Sequence, residues 1–428
     1  MNDLDDDRLR QHLSDDQPRV KEFFLARQPI LCSAHNLVGY ELLFRRASTG
    51  PANVVDDLSA TASVIAHASE LGIDNVIGNS LGFFNVDAAV LMCDFINFLP
   101  CDKVVLEILE TVKVTPELTA RVLELHKQGF TFALDDVISE SEELKSLLPM
   151  VKIIKIDISG MSKAELMRLA HHFKQQNKIL LAEKVETIEQ CRDCVEAGFD
   201  YFQGYYFARP VILTGKKLSS SQLVIMNLLA QIAADAETNH LEQNIKKDAS
   251  LVLTLLRLVN TPGLGVTHRI DSLGQALTVL GRRQLQRWLQ IILYAEHSKG
   301  NHFNSPLLQL ATTRGKLLEL MAEKLHPGNR AMADTAFTVG IMSLMDTLFG
   351  QSMQQILEQV SVVDEVSQAL LHRAGFYGDA LKLAEYIERI DRAGALPVPT
   401  LQKIGLAMED LYASQLAAFE WSNNLSRA

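Results

Sequence analysis

From Glu22 to Pro210 short apolar runs alternate with amphipathic stretches. The runs are 23–32 (FFLARQPILC), 37–44, 82–86, 104–109, 130–137, 153–158, 179–185 and 201–207. Each is brief and rich in β-branched or aromatic residues, as strands are. Between them 56–71, 116–127, 163–176 and 187–197 carry helical spacing. Pro116 after Thr115 reads as a helix start, and Thr187 with Gln190 as a capping box. Gly129 and Gly198 stand where C-terminal caps belong. Eight strands alternating with helices predict a closed parallel (β/α)8 barrel. The span falls slightly below the roughly 200-residue lower bound for that fold, so some helices must be short or replaced by loops.

After Pro210 the pattern changes. VILTGKKLSSSQ (211–222) is polar and Ser-rich, a linker ending in a helix cap. From 223 onward helical spacing dominates, as in 251–260, 273–281, 307–325 and 337–349. The expected organisation is an acidic segment (1–21), a barrel (22–210), a linker (211–222) and an all-helical domain (223–428). The fold class is α/β plus all-α. The two domains are expected to fold separately.

Composition narrows the function. With 47% hydrophobic and 22% charged residues the chain reads as a soluble globular protein. No apolar run is long enough to span a membrane, and the polar, acidic first 20 residues do not resemble a secretory signal, so a cytoplasmic location is expected. A net charge of −11 argues against bulk nucleic-acid binding. Arg282, Arg283, Arg287 and Trp288 cluster locally, which on a helix reads as a solvated face. Cys191 and Cys194 form a lone CxxC that reads as helix interior rather than a zinc site.

Polar residues recur inside the apolar runs: Glu41, Asn85, Glu107, Asp135 with Asp136, Lys155 with Asp157, Glu183 with Glu186, and Gln203. Functional residues of a parallel barrel sit where strands end. Seven successive strands carrying such residues are hard to ascribe to surface polarity, because buried carboxylates need partners and repel one another without a cation. Their oxygens suit Mg²⁺ or Mn²⁺ rather than zinc. Adjacent aspartates can bridge two such ions, the apparatus for in-line attack of water on a phosphodiester, and Lys155 and Arg45 could neutralise phosphate.

The order E-x-L-x-R, N, E-x-x-E, D-D, K-x-D, E-x-V-E, Q-G-Y resembles the EAL domain, the bacterial cyclic di-GMP phosphodiesterase barrel, over about 22–210. The resemblance implies Glu41, Asn85, Glu107 and Asp135 as metal ligands. It implies that Asp136 and Glu183 complete the metal pair and activate water, and that Arg45 and Gln203 contact substrate. Lys155, Asp157 and Glu186 match family positions near the reacting phosphate. The sequence also departs from the pattern. The name motif reads Glu41-Leu42-Leu43, and the loop usually written DDFGTG is Asp135-Asp136-Val137-Ile138-Ser139-Glu140. That loop has lost the conformational freedom of two glycines. In the family it supports the second Glu of E-x-x-E, Glu110 here, and couples metal binding to dimerisation, so a homodimer stays open. Lys184 stands where the family has Gly, which is expected to crowd Glu183 and to compete with a metal.

VNTPGLGVTHRIDSLGQALTVLG (259–281) resembles the HDOD domain, a relative of the HD metal hydrolases. The ligand positions fall in Gly340-Ile341-Met342-Ser343-Leu344-Met345-Asp346, where neither His nor Asp is in place, and 308–318 also lacks a histidine. His297 and His302 read as surface residues. No metal is expected there, and the domain reads as an interaction module for a protein partner. Together the resemblances imply a signalling protein whose degenerate barrel binds cyclic di-GMP or a protein partner with little turnover. The alternatives are an active Mg²⁺- or Mn²⁺-dependent cyclic di-GMP phosphodiesterase, and a scaffold that binds neither.

Overall fold

The computed structural model describes residues 23–34, 36–46, 73–137, 145–204, 220–260, 270, 272–295, 305–360, 362–388 and 398–425. The helix expected over 56–71, His297, His302, Ile138 to Glu140 and the linker up to 219 lie outside them.

Eight strands close into a barrel in chain order. They are β1 (Phe23–Cys32), β2 (Leu37–Arg46), β3 (Leu81–Val86), β4 (Val104–Ile108), β5 (Thr131–Leu134), β6 (Val151–Asp157), β7 (Ile179–Glu183) and β8 (Tyr201–Phe202). From β2 to β8 neighbours run parallel, whereas β1 runs antiparallel to both β2 and β8. The all-parallel expectation is therefore corrected at one strand. The cause is the connection: only Ser33 to Asn36 separate β1 from β2, too few for a crossover but enough for a hairpin.

Among the described residues the barrel carries helices α1 (Ile73–Ile77), α2 (Ala88–Leu91), α3 (Pro116–Lys127), α4 (Lys163–Gln175) and α5 (Ile188–Ala197). Their ends follow the local chemistry. Thr115 Oγ1 accepts from Leu118 N ahead of Pro116, Thr187 and Gln190 form a reciprocal capping box, and Gly198 closes α5 in the left-handed region. Cys191 and Cys194 lie buried on α5.

The helical segment comprises α6 (Ser220–Ala233), α7 (Thr238–Ile245), α8 (Ala249–Val259), α9 (Leu273–Ala295), α10 (Pro306–Leu325), α11 (Arg330–Met342), α12 (Met345–Phe349), α13 (Met353–Gln359), α14 (Asp364–His372), α15 (Gly375–Ile387), α16 (Val398–Ile404) and α17 (Met408–Leu425). α9 is broken at Gly281, whose φ of 65° only glycine adopts freely. No helix among the described residues is long and apolar enough to cross a membrane. The solvated-face reading of the arginine cluster is corrected in part. Arg283 is exposed, but Trp288 is buried, and Arg287 forms a bidentate pair with Glu319 at 2.7 and 2.8 Å. The Arg287 guanidinium also lies over the rings of Phe337 and Trp421, distant in sequence, at 3.8 and 4.8 Å from their centroids.

α17 packs on the barrel. Phe419 belongs to the barrel core, and Ala26 of β1 belongs to the helical core. Gln415 Nε2 donates to Leu25 O at 2.5 Å, and Asn423 Nδ2 to Asn75 O at 2.9 Å. Arg27 is the centre of this seam. It donates to Val76 O at 2.7 Å, Thr313 Oγ1 at 3.1 Å and Asn423 Oδ1 at 3.3 Å, between the rings of Tyr40 and Phe419. Tyr40 in turn donates to Gln309 of α10. Proteolysis within 211–222 is accordingly expected to give two pieces that co-elute on gel filtration and part only on denaturation. Phe419→Ala should let them separate, because truncating a buried Phe costs about 3–5 kcal/mol. Pieces that separate spontaneously after cleavage would show that the seam contributes little.

Candidate active site

The interior of the barrel is filled by one small apolar layer: Ile30, Phe83, Val105, Ala133, Ile153 and Leu181. Side chains on a strand share a face every second residue, so the positions two further toward the mouth are Gln28, Asn85, Glu107, Asp135, Lys155 and Glu183. Each polar residue thus stands on an apolar one. Glu41 reaches the same level from β2 above Gly39, where a Cβ would meet Leu81 O at 2.6 Å and the Phe83 ring at 2.9 Å. Strand register then sets neighbours side by side: Gln28 with Glu41, Asn85 with Glu107, and Asp157 with Glu183.

The centre is Lys155, fully buried, with Nζ at 2.8 Å from Asp135, 3.0 Å from Glu107, 3.0 Å from Glu183 and 3.5 Å from Glu41. The ammonium is shared among the four carboxylates. Glu41 is oriented further: Asn85 Nδ2 donates to Oε1 at 3.0 Å and Gln203 Nε2 to Oε2 at 2.6 Å. Gln203 is set by Gly204, where a Cβ would meet Val185 N and O at 2.3 and 2.4 Å. Gln203 Nε2 also donates to Gln28 Oε1 at 2.6 Å. Gln28 was not singled out from the sequence, and its only signal is one polar residue in an apolar strand.

Ionisation follows burial and charge. Burial alone would raise the Glu41 carboxyl, but Lys155 and the two amide donors outweigh it and hold it below the ordinary range. Glu107 is pushed well above that range, by burial first and by its acidic neighbours, with Lys155 opposing. Glu183 is raised to about 8, chiefly by burial. For Lys155 burial works against the charge, yet the four carboxylates prevail and raise it well above its usual value.

The other sequence candidates stand apart from this cluster. Asp136 follows β5 at φ 48°, a left-handed conformation that Asp tolerates, and burial with nearby Asp135 raises its carboxyl. Asp157 pairs with Lys184 and accepts from Ser159 N at 2.8 Å. Lys184 therefore turns its ammonium to Asp157. Its φ of 55° explains why glycine suits that position. Glu186 is exposed ahead of α5. Of Arg45 only the backbone is described, on β2 opposite Phe24.

The oxygen donors fit a hard divalent cation. Among the described residues Asn85 Oδ1, Glu107 Oε2 and Glu183 Oε2 are buried without a hydrogen-bond partner, while Glu107 Oε1 and Asp135 Oδ1 face the Lys155 ammonium. With the carboxylates drawn around the ammonium, no group of three or more acidic, His or Cys residues among the described residues is spaced to grip an ion. The cluster opens into a cavity of about 770 Å³, whose walls include Glu41, Glu183 and Gln203 on one side and Arg314, Glu388 and Gln415 on the other.

A raised carboxyl binds a proton when folded that it releases when unfolded, so its contribution to stability falls as pH rises between the two pKa values. For Glu183 that window runs from its ordinary 4.5 to about 8. In chelator, the melting temperature is expected to fall from pH 5 to pH 8 more steeply for the wild type than for Glu183→Gln, which does not ionise. Parallel curves would show that Glu183 is not raised.

The EAL domain model matches residues 7–210 and the HDOD domain model residues 218–374. The uncharacterised protein YuxH of Bacillus subtilis is 30% identical over 414 residues, covering 95% of this chain and 99% of its own. Cyclic di-GMP phosphodiesterase CdgJ of Vibrio cholerae is 31% identical over 411 residues, covering 94% of this chain and 93% of its own. Among solved structures, an EAL domain protein of Listeria monocytogenes aligns at TM-score 0.37 and 20% identity, over 44% of this chain and 87% of that one. On the strength of the two full-length relatives, the chain belongs to the family that joins an EAL domain to an HDOD domain.

Proposed function

We propose that this protein is a metal-dependent phosphodiesterase acting on cyclic di-GMP. The observation that carries the reading is the convergence of Glu41, Glu107, Asp135 and Glu183 on Lys155 above a sealed apolar layer, with buried oxygens left unpartnered. The full-length relative CdgJ, which bears that activity in its name, supports it. In this reading Glu41, Asn85, Glu107, Asp135 and Asp136 hold Mg²⁺ or Mn²⁺. Such ions polarise a phosphodiester and acidify a bound water. Asn85 and Gln203 fix both oxygens of Glu41, so that ligand is oriented before anything binds. Glu183 Oε1 faces Lys155; bound cations would ionise the raised carboxyl, and Oε2 would then be the oxygen to take the proton of the attacking water. Lys155 stabilises charge gathering on the phosphate, and the apolar layer below keeps bulk water out. Asp157, Glu186, Arg45 and Gln203 are assigned to holding the substrate.

A receptor with little turnover is the second reading. Lysine in a left-handed conformation beside Glu183 favours it, since strain of that kind costs on the order of 1–3 kcal/mol and a misplacement of about 1 Å costs ~10²-fold in rate. In the helical domain, Arg314 donates to Ser343 Oγ at 2.6 Å and is held by Glu388 at 2.9 and 2.5 Å. A guanidinium thus stands where the HDOD resemblance puts ligands, which supports an interaction module for a protein partner rather than a metal site.

Hydrolysis of cyclic di-GMP by the full chain with Mn²⁺ or Mg²⁺ decides between the readings. Turnover is expected, and Glu41→Ala should reduce it at least ~10²-fold, because the ligand is lost along with its two oriented donors. Lys184→Gly should change the rate less than tenfold. Tight binding without turnover, with hydrolysis gained in Lys184→Gly, would establish the receptor instead.

A further inference from the structure

Near the barrel mouth β1 is held by the helical segment as well as by the sheet. It pairs with β2 along most of its length, but among the described residues it pairs with β8 only at Leu31 and Cys32, the end far from the mouth. Two positions nearer the mouth stands Pro29, which has no N–H with which to extend that ladder. Closer still to the mouth, the contacts come from elsewhere. Gln415 of α17 is buried, and its Nε2 donates to Leu25 O at 2.5 Å. Phe419, four residues on and so on the same face of α17, lies against the Arg27 guanidinium at 3.9 Å from the ring centroid. Arg27 in turn donates to Thr313 of α10 at 3.1 Å, and Ala26 packs into the helical core.

This stretch of β1 carries Gln28, which the strand register sets opposite Glu41. One amide joins the two: Gln203 Nε2 donates to Gln28 Oε1 and to Glu41 Oε2, each at 2.6 Å. A displacement of β1 therefore reaches the Glu41 carboxylate through a single side chain. We infer that α17 positions Glu41: Gln415 and Phe419 hold the mouth half of β1, and Gln28 and Gln203 pass its position on to the carboxylate. Gln415 and Phe419 are positioning residues in this scheme, since their contacts are with β1 and not with the carboxylates. Groups that orient a metal ligand from outside typically govern 10–100-fold in ion affinity. The inference rests on the reading of the cluster as a divalent-ion site. It makes the ion affinity of the barrel depend on how the helical domain is docked, so that a partner shifting α17 would change that affinity with every ligand still in place.

The test is titration of the full chain with Mn²⁺, read from the paramagnetic resonance signal of the free ion. The proteins compared are wild type, Gln415→Met, Gln28→Met, the double variant and Arg287→Met. Gln415→Met keeps volume and loses the donor to Leu25, and Gln28→Met loses the acceptor for Gln203. Arg287→Met breaks the pair with Glu319 and the contacts with Phe337 and Trp421, all within the helical domain. Gln415→Met is expected to weaken Mn²⁺ binding about tenfold, and Gln28→Met at least as much. Because both act on Glu41 through one amide, the double variant is expected to stay within about twofold of Gln28→Met. Arg287→Met should lower the melting temperature and leave the affinity within about twofold of wild type. Melting temperatures are recorded throughout, and Phe419→Leu, with the same expected weakening, replaces Gln415→Met if that variant fails to fold. Should Gln415→Met bind as tightly as wild type, the positioning role is overturned and the ion site stands. Losses that add in the double variant would also overturn it, as would equal weakening in Arg287→Met, which would trace the effect to general destabilisation. A wild type that takes up no Mn²⁺ overturns the reading of the cluster as an ion site and the inference with it.

Discussion

Everything at the barrel mouth is organised by the charge balance around Lys155. Four carboxylates with one ammonium form an acidic knot in a place where an isolated charge would be costly to bury. The ammonium is held because the carboxylates surround it, and Glu107 and Glu183 resist ionisation first because they are buried and then because acidic neighbours share the one ammonium. Removing one member of such a cluster leaves the rest uncompensated, which is why buried ionic groups are costly to break singly. The apolar layer beneath has a matching role: with Phe83 and its neighbours sealing the interior, the polar groups face only the mouth.

The seam with the helical segment rests on a second cation. Arg27 is half-buried in the seam, and the loss of water around it pulls its pKa below the usual value. Its hydrogen bonds go to a carbonyl, a hydroxyl and an amide, and its faces to Tyr40 and Phe419. A guanidinium accepts such surroundings better than an ammonium, being planar and weakly hydrated. Because those partners come from both β-barrel and helices, separating the two removes hydrogen bonds and ring contacts together. The helical segment is thereby tied to the strand that also carries Gln28, a neighbour of Glu41.

Much of this was legible in the sequence, for a physical reason. The period-2 alternation that makes strands also puts Phe83 with Asn85, Val105 with Glu107 and Leu181 with Glu183 on one face, so strands and candidate site residues emerge from the same pattern. Strand direction does not, because alternation is the same read either way; only the short connection at Ser33 to Asn36 shows that β1 is antiparallel. The environment of Arg287 was misread because its aromatic and acidic neighbours, Phe337, Trp421 and Glu319, are remote in sequence. For the same reason Arg27, Tyr40, Gln309 and Phe419, each ordinary alone, gave no sign of a seam.

The strand ends show how a departure from the family pattern can be absorbed. Position 184 needs φ near 55°, which favours glycine, and the chain carries lysine there. The residue gains something glycine cannot: its ammonium reaches Asp157, the register partner of Glu183, and holds that carboxyl below the ordinary range. The ion pair is partly exposed, so it offsets only a fraction of the backbone cost. Yet it moves the positive charge onto a carboxylate outside the cluster around Lys155. Gly204 shows the contrary case. There a Cβ would strike Val185 backbone, which has no rotamer to yield, so no side chain can compensate. Tolerance at the rim thus depends on what the new atoms meet: a carboxylate within reach accommodates lysine at 184, and a neighbouring main chain excludes everything but glycine at 204.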